Sequence, residues 1–297
     1  MRRLSIAACV GLAAVVAACR PAPSPVGSLT ASPSEIRLPW PQFAELEIRL
    51  QATSELPEGV TRPHVFVHVL DEPGSVLRTF DHPLPGEWTS GRRYDYSVRL
   101  YQSALAEPLA AGDYMLTLGL YALEGGRYAL QTGGEEVARN EYRLATVVVP
   151  PAAENDPRAR FSESWLPAEP GADRQILVRR TLRGGTPGTL QFGPLAGPGT
   201  LFLNLELPRG EATRRVELLD GGGQPKVALS TSCGGEQVEV SGQGTFNVDL
   251  QVQGDEAPAA CEVTVQPNFQ VTHSDRAETT AVRLGVLAWR PEGVPSP

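Results

Sequence analysis

The chain has 297 residues, with 26 Lys or Arg against 34 Asp or Glu, and a formal net charge of −8. This balance argues against a nucleic-acid partner, because phosphate binding needs a basic stripe. The 30 glycines and 27 prolines, without any long helical pattern, predict an all-β fold with many turns.

Residues 1–18 have the layout of a secretory signal peptide, with Arg2 and Arg3 ahead of an apolar run too short to span a bilayer comfortably. The segment Val16-Ala17-Ala18-Cys19 resembles the lipobox of bacterial lipoproteins. The resemblance implies cleavage before Cys19, which then carries a diacylglyceryl thioether and an acyl chain such as palmitate on its amino group. The alternative is an ordinary signal peptide with an unrelated cysteine.

The acyl chains on Cys19 would form a stable anchor. We therefore expect the protein in the bacterial cell envelope, attached to the outer membrane or to the outer face of the cytoplasmic membrane. Residues 19–34 follow the anchor and are rich in Pro, Ala and Ser. That composition predicts a flexible tether.

Residues 35–149 alternate apolar and polar side chains, as where Leu46, Ile48 and Leu50 share one face of a predicted strand. Strands are predicted at 44–52, 64–70, 76–81, 94–101, 114–123, 127–131 and 142–149. This series of short strands predicts an immunoglobulin-like β-sandwich. Ala110-Ala-Gly-Asp-Tyr114 resembles the tyrosine corner of such sandwiches, which implies that the Tyr114 hydroxyl bonds a nearby backbone group.

The stretch from His64 to Gly74 carries two histidines four residues apart, followed by Asp71 and Glu72. On a helix this spacing could form half a metal site. The alternating valines indicate a strand instead, on which the two histidines would lie about 13 Å apart. We therefore expect a strand covered on both faces, with His68 hydrogen-bonded, followed by a tight turn at Asp71-Glu-Pro-Gly74.

Residues 150–158 are rich in proline and predict a linker. From 159 to 290 short strands resume, at 175–181, 189–192, 200–207, 214–219, 226–230, 237–240, 245–252, 261–266 and 280–289. This number of strands predicts a jelly-roll-like β-sandwich. Residues 291–297 are predicted to form a flexible tail.

Cys233 and Cys261 remain after the lipidated cysteine. An exported protein occupies a compartment that permits disulfides, and the pair lacks the spacing and neighbours of a zinc site. We predict that the two cysteines form a disulfide across two strands. Two free buried thiols are the alternative.

A family resemblance is carried by Val65-Phe-Val-His-Val-Leu-Asp71 and Ala111-Gly-Asp-Tyr-Met-Leu-Thr-Leu-Gly-Leu-Tyr121. Residues 44–149 are similar to the β-sandwich module in the soluble C-terminal parts of bacterial membrane glycosyltransferases of the protein-mannosyltransferase type. The multi-spanning region that holds the catalytic machinery of those enzymes is missing from this sequence. The resemblance therefore implies a sandwich fold and a surface or glycan context, and it implies no transferase activity.

A second resemblance concerns residues 160–290, which contain Phe161-Ser-Glu-Ser-Trp165 and Arg283-Leu-Gly-Val. This half is similar to jelly rolls of the galactose-binding type. It implies the same sandwich architecture for the second half of the chain.

The sequence contains no nucleophile elbow, zinc-protease motif, P-loop or dinucleotide fingerprint, and we expect no catalysis, cofactor or bound metal. Glu169, Asp173 and Asp275 could contribute to a structural calcium site, although solvated loop charges explain them more simply. Trp88, in a Gly/Ser turn, is the best candidate for an exposed, sugar-stacking aromatic. Trp165 is a second candidate ligand-binding residue, and for both tryptophans burial in the fold is the interpretation favoured over exposure.

These features predict a non-catalytic, lipid-anchored envelope protein that acts as a binding or scaffolding module for glycan or for an envelope protein. The alternatives are a structural subunit of a surface or secretion assembly and a carbohydrate-active enzyme. A glycosidase would need two carboxylates converging on a sugar, and no motif indicates such a pair.

Overall fold

The computed structural model describes residues 24–293 except 172, 196, 210–213, 254–258 and 276. Strands dominate both halves of this part of the chain, which confirms the all-β prediction. Across the described residues no helix has the length and hydropathy of a membrane span.

The first half forms two sheets that face each other. Sheet I has the strand order β10-β1-β3-β7, and sheet II has the order β11-β12-β8-β4-β5 with β2, β6 and β9 attached. The strands of this half are β1 (Gly27–Ser32), β2 (Glu35–Arg37), β3 (Phe43–Ala52), β4 (His64–Leu70), β5 (Val76–Thr79), β6 (His82–Pro83), β7 (Arg93–Tyr101), β8 (Gly112–Tyr121), β9 (Arg127–Tyr128), β10 (Leu130–Gln131), β11 (Glu135–Ala138) and β12 (Glu141–Val149).

The alternating residues of β3 are buried and exposed as their sequence predicts. Leu46, Ile48 and Leu50 are buried in the core between the sheets, while Glu47 and Arg49 are exposed. On β4, every residue after His64 is buried, so both faces of this central strand are covered. The tyrosine corner is also confirmed, because the Tyr114 hydroxyl donates to the Ala110 carbonyl oxygen at 2.7 Å.

The predicted tether is wrong for its C-terminal part. Residues 27–32 form β1, which pairs antiparallel with β3 along its length and parallel with β10. Leu29 on β1 is fully buried. Burial of this side chain and backbone pairing on both edges outweigh the local preference of a segment rich in Ala, Ser and Pro.

The second half forms another pair of sheets after a strand-free segment at 150–157. Sheet III has the order β14-β15-β24-β17-β21, with β23 joining β24 to β18, and sheet IV has the order β13-β16-β22-β19-β20. The strands are β13 (Arg158–Phe161), β14 (Glu169–Pro170), β15 (Val178–Arg183), β16 (Gly188–Leu195), β17 (Gly199–Leu207), β18 (Arg214–Leu218), β19 (Lys226–Thr231), β20 (Val238–Ser241), β21 (Gly244–Val252), β22 (Ala259–Pro267), β23 (Phe269–His273) and β24 (Thr280–Pro291).

Strand β17 separates two environments. Leu201, Leu203 and Leu205 point into the core of the second half. Phe202, on the opposite face, is 2% exposed and belongs to the core of the first half. Val286 and Ala288 on β24 do the same, so the outer face of sheet III is partly buried against the first half.

Backbone hydrogen bonds also join the two halves. The Trp289 amide donates to the Pro41 carbonyl at 2.8 Å, and the Ala104 amide donates to the Leu287 carbonyl at 2.7 Å. Gln42 forms an isolated parallel bridge with Trp289. The two halves are therefore packed together as well as connected through the chain.

Candidate functional site

A cluster of charged side chains lies on the outer face of sheet II, where β4, β8 and β12 are neighbours. His68 Nε2 is 3.2 Å from Asp81 Oδ1, and His68 Nδ1 is 3.5 Å from Glu141 Oε1. The first distance suits a charge-assisted hydrogen bond, and the second is an ion-pair contact too long for a good hydrogen bond. The side chains of His68 and Glu141 are only 11% and 6% exposed.

Further partners hold Glu141 in place. The Thr117 hydroxyl donates to Glu141 Oε1 at 2.7 Å, and Arg127 Nη1 donates to Oε2 at 2.5 Å. The Arg127 guanidinium lies 4.4 Å above the ring of Phe66, which also stacks on the His68 ring at 4.8 Å. The chain reverses next to this site at Asn140, which has a positive φ of 56°.

Charge pairing controls the ionisation of both groups. Burial by itself would lower the pKa of His68, but the contacts with Asp81 and Glu141 outweigh burial and raise that pKa to about 9. The contact with His68 is the main cause that lowers the pKa of Glu141, and the bonds from Thr117 and Arg127 add to it. Burial alone would raise this pKa, but the net result is a pKa of about 2. Both side chains are therefore charged at neutral pH, and neither is tuned for proton transfer there.

The imidazole of His68 fills the space between Asp81 and Glu141, so these two carboxylates do not converge on an open sugar site. Burial and mutual pairing make this cluster a stabilising element of sheet II. Pairing with Asp81 and Glu141 compensates the buried charge of His68, which is why this residue can occupy the otherwise largely apolar strand β4.

The predicted strand at His64–Leu70 is confirmed, and the predicted turn follows it, with Gly74 N donating to Asp71 O at 2.9 Å. His64 pairs with Tyr121 across the sheet, and its ring lies 5.5 Å from the Tyr121 ring. His68 has different neighbours. Among the described residues, no group of three or more His, Cys, Asp and Glu side chains is placed to hold a metal ion.

Trp88 is buried, as favoured from the sequence, and it is not the exposed sugar-stacking aromatic for which it was a candidate. Trp88 is 5% exposed, because its turn folds back so that the indole stacks near Tyr94, 6.1 Å between centroids, and donates to the Ser54 carbonyl at 2.8 Å. Trp165 is 4% exposed and donates to the Thr189 carbonyl at 3.1 Å. Neither side chain offers a flat ring face for stacking a sugar.

Cys233 and Cys261 are joined by a disulfide, with 5.4 Å between their Cα atoms. The bond ties the loop after β19 to β22, and Cys261 is 1% exposed. The predicted lipidation site, Cys19, lies outside the described residues.

The calcium candidates are not gathered in one place. Glu169 accepts a hydrogen bond from the Thr181 hydroxyl at 3.0 Å. Asp173 accepts from the Gln175 and Ile176 amides at 2.9 and 2.7 Å. Asp275 is exposed. The contacts of Glu169 and Asp173 stabilise their own loops.

The junction between the halves centres on Arg99, whose role the sequence did not reveal. Its guanidinium lies 4.4 Å from the ring centroids of both Phe43 and Phe202. It is bonded to Glu45 Oε1 at 2.9 Å and to both carboxylate oxygens of Asp249 at 2.6 and 3.2 Å. On β7, Arg99 looks like any polar residue of an alternating strand, so only the packing of the halves identifies it.

No protein-family model matches the chain, and no curated protein matches it.

Proposed function

We propose that this chain is a non-catalytic, lipid-anchored protein of the bacterial envelope whose two joined sandwiches act as a binding or scaffolding module. Cys19 would carry the anchor. The sandwiches would present their surfaces to glycan or to another envelope protein.

The observation that carries the proposal is the packed junction between the two halves. Phe202, Val286 and Ala288 from the second half are buried with the core of the first half. Arg99 and Asp249 add a bidentate ion pair across the same junction. A hinge between the halves would need this apolar surface to be exposed to water, which is unfavourable. A module of fixed shape suits a scaffold better than an enzyme that closes around its substrate.

The ionisation of the buried cluster supports the non-catalytic part. A general acid or base works best when its pKa is near the operating pH. The pKa values of His68 and Glu141, about 9 and about 2, lie on either side of neutrality. Their charges instead stabilise one face of sheet II.

The anchor is tested by metabolic labelling with an alkyne fatty acid in a bacterial host, followed by membrane fractionation. The wild-type chain should be labelled and should sediment with membranes. Cys19→Ala should abolish labelling and release the protein, whereas Cys9→Ala, inside the predicted signal peptide, should leave both unchanged. Labelling that persists in Cys19→Ala would contradict the proposed anchor.

The glycan form is tested separately with the full-length protein in detergent on a glycan array that includes purified envelope polysaccharide. Binding to a defined polysaccharide would support it. A complete absence of binding would leave the version of the proposal in which the module binds another envelope protein. Crosslinking in intact cells then tests that version by the recovery of a specific partner.

A further inference from the structure

A cleft lies in the second half, lined by residues of β13, of the segment that follows it and of β15. Its volume is about 830 Å³, and its lining includes Phe161, Trp165, Pro167 and Arg180. Phe161 ends β13 in sheet IV, and Arg180 lies on β15 in sheet III. The cleft therefore has apolar and aromatic surface next to the guanidinium of Arg180.

The guanidinium of Arg180 is held in a fixed position. Its Cζ atom lies 4.8 Å from the Phe161 ring centroid, and its Nη1 donates to the Leu166 carbonyl at 2.9 Å. Phe161 is in turn packed edge-on against Trp165, with 5.4 Å between centroids. Among the described residues this arrangement uses one N–H group of Arg180, so the others are available for a ligand.

Arg180 has no carboxylate within ion-pair distance in the part of the chain that the structure describes. Arg99 and Arg127 also stack on phenylalanine rings and are paired with carboxylates, whereas Arg290 stacks on Phe43 and has no ion pair among the described residues. A stacked arginine without an acidic partner is pre-organised to receive a planar anion through two parallel hydrogen bonds.

The edge of sheet IV lies beside this cation. Strand β13 pairs only with β16 among the described strands, so its other edge is open. An open edge accepts an extended peptide as an additional strand, with backbone hydrogen bonds for affinity and side-chain pockets for specificity. The half-buried Ala159 and Phe161 line the cleft and would contact apolar side chains of that peptide.

We propose that this cleft binds an extended acidic peptide segment of a partner protein, which pairs with the open edge of β13 and places a carboxylate on Arg180. Two other charged residues line the cleft. Arg183 is already paired with Glu278, and Glu163 is exposed and would repel the peptide. The inference rests on the proposed binding function and specifies the envelope-protein form of it.

The test measures fluorescence anisotropy with the full-length protein in detergent. The probe is a fluorescein-labelled, end-capped peptide that alternates glutamate with leucine, and the matched control peptide carries glutamine in place of glutamate. We expect saturable binding of the glutamate peptide that weakens as salt is added. We expect the glutamine peptide to bind at least about tenfold more weakly, since charge-assisted bonds are roughly twice as strong as neutral ones.

Variants assign the binding to the cleft. Arg180→Gln should weaken binding at least about tenfold, and Arg180→Lys should recover only part of it, because lysine keeps the charge and loses the planar fork. Glu163→Gln should strengthen binding. Arg93→Gln removes an exposed arginine of the first half that is paired with Asp95, and it should change nothing. Circular-dichroism melting confirms that each variant is folded.

The strand-addition part has its own control, a glutamate peptide that is N-methylated at alternate residues and cannot donate the backbone hydrogen bonds. This N-methylated peptide should not bind.

Equal affinity for the glutamate and glutamine peptides, no binding at concentrations up to about 1 mM, or an unchanged affinity in Arg180→Gln would overturn the inference. Stronger binding of an oligogalacturonate would also overturn it by identifying an acidic glycan as the occupant. None of these outcomes bears on the Cys19 anchor, which acyl labelling tests independently.

Discussion

Glu141 is a carboxylate almost entirely removed from water, with a side chain that is 6% exposed. A buried charge is tolerated only when partners compensate for its lost hydration. Glu141 has three, namely His68, Arg127 and Thr117. Removing one member of such a network leaves the other charges buried without compensation, which costs more than the network contributes when intact.

We therefore predict that Glu141→Gln lowers the free energy of unfolding by about 3 kcal/mol, the scale for breaking a buried pair. Urea unfolding followed by circular dichroism measures this change. Asp95→Asn is the control, because Asp95 forms an exposed ion pair with Arg93, and its loss should cost less than about 1 kcal/mol. Similar losses in the two variants would contradict a buried network at Glu141.

The stability that this cluster provides should depend on pH in two directions. The pKa of His68 is raised from 6.5 to about 9 in the folded protein. Its contribution is therefore fully present below pH 6.5 and is lost as the pH rises through 9. The pKa of Glu141 is lowered from 4.5 to about 2, so its contribution is present above pH 4.5 and is lost as the pH falls through 2.

The difference in unfolding free energy between wild type and His68→Gln should consequently be largest between pH 4.5 and 6.5, the window bounded by the ordinary pKa values of Glu141 and His68. It should shrink steadily towards alkaline pH. Urea titrations at a series of pH values measure it. A difference that stays constant up to pH 9.5, beyond the pKa of about 9, would show that His68 is not held as a cation.

At the scale of elements, alternating side chains predict most of the long strands and several short ones, such as β5 and β20, whereas β1, β2, β13 and β23 are not predicted in this way. Strands β3 and β17 contain enough residues for the alternation of apolar and polar positions to be clear. Strand β4 is largely apolar on both faces, and its alternating valines indicate the strand. Strand β1 has a composition that favours a tether, and it becomes a strand because β3 and β10 pair with its edges. Pairing partners distant in sequence are not visible in a local pattern.

The disulfide between β22 and the loop after β19 is predicted from the sequence. The prediction uses the spacing of the two cysteines, which does not suit zinc, and the expected export of the chain to a compartment that permits disulfides. The disulfide links residues 28 positions apart, and closing a loop of this size contributes about 3.5 kcal/mol in the chain-entropy treatment. We predict that replacing both Cys233 and Cys261 by alanine lowers the unfolding free energy by about 3 kcal/mol. Chemical denaturation of the oxidised wild type and the double variant tests this. Equal stability would mean that the disulfide constrains little in the unfolded chain.

The candidate sites show where sequence reasoning stops. A turn rich in Gly and Ser suggested an exposed Trp88, but the indole turns inward to Ser54 and Tyr94. The positions of Arg180 and Arg99 on alternating strands gave no sign that one lines a cleft and the other joins the halves. These properties depend on packing between segments far apart in the chain, so they become visible only in three dimensions.

For the whole molecule, the two sandwiches should behave as one cooperative unit. Phe202 is 2% exposed and contacts Phe43 and Tyr101, with ring centroids 5.7 and 5.8 Å apart. We predict that Phe202→Ala costs about 3 kcal/mol or more and separates the unfolding of the halves. Phe192→Ala is the control, since Phe192 is buried within the core of the second half. It should destabilise that half without removing a contact between the two.

The packing of the two sandwiches against each other is the basis of the proposed scaffold. Calorimetry of the full-length protein in detergent tests most directly whether they unfold as one cooperative unit. We expect one heat-absorption peak for the wild type, with a calorimetric enthalpy equal to the van't Hoff enthalpy. Phe202→Ala should split this peak into two. Two separate peaks in the wild-type protein, unchanged by Phe202→Ala, would contradict the account.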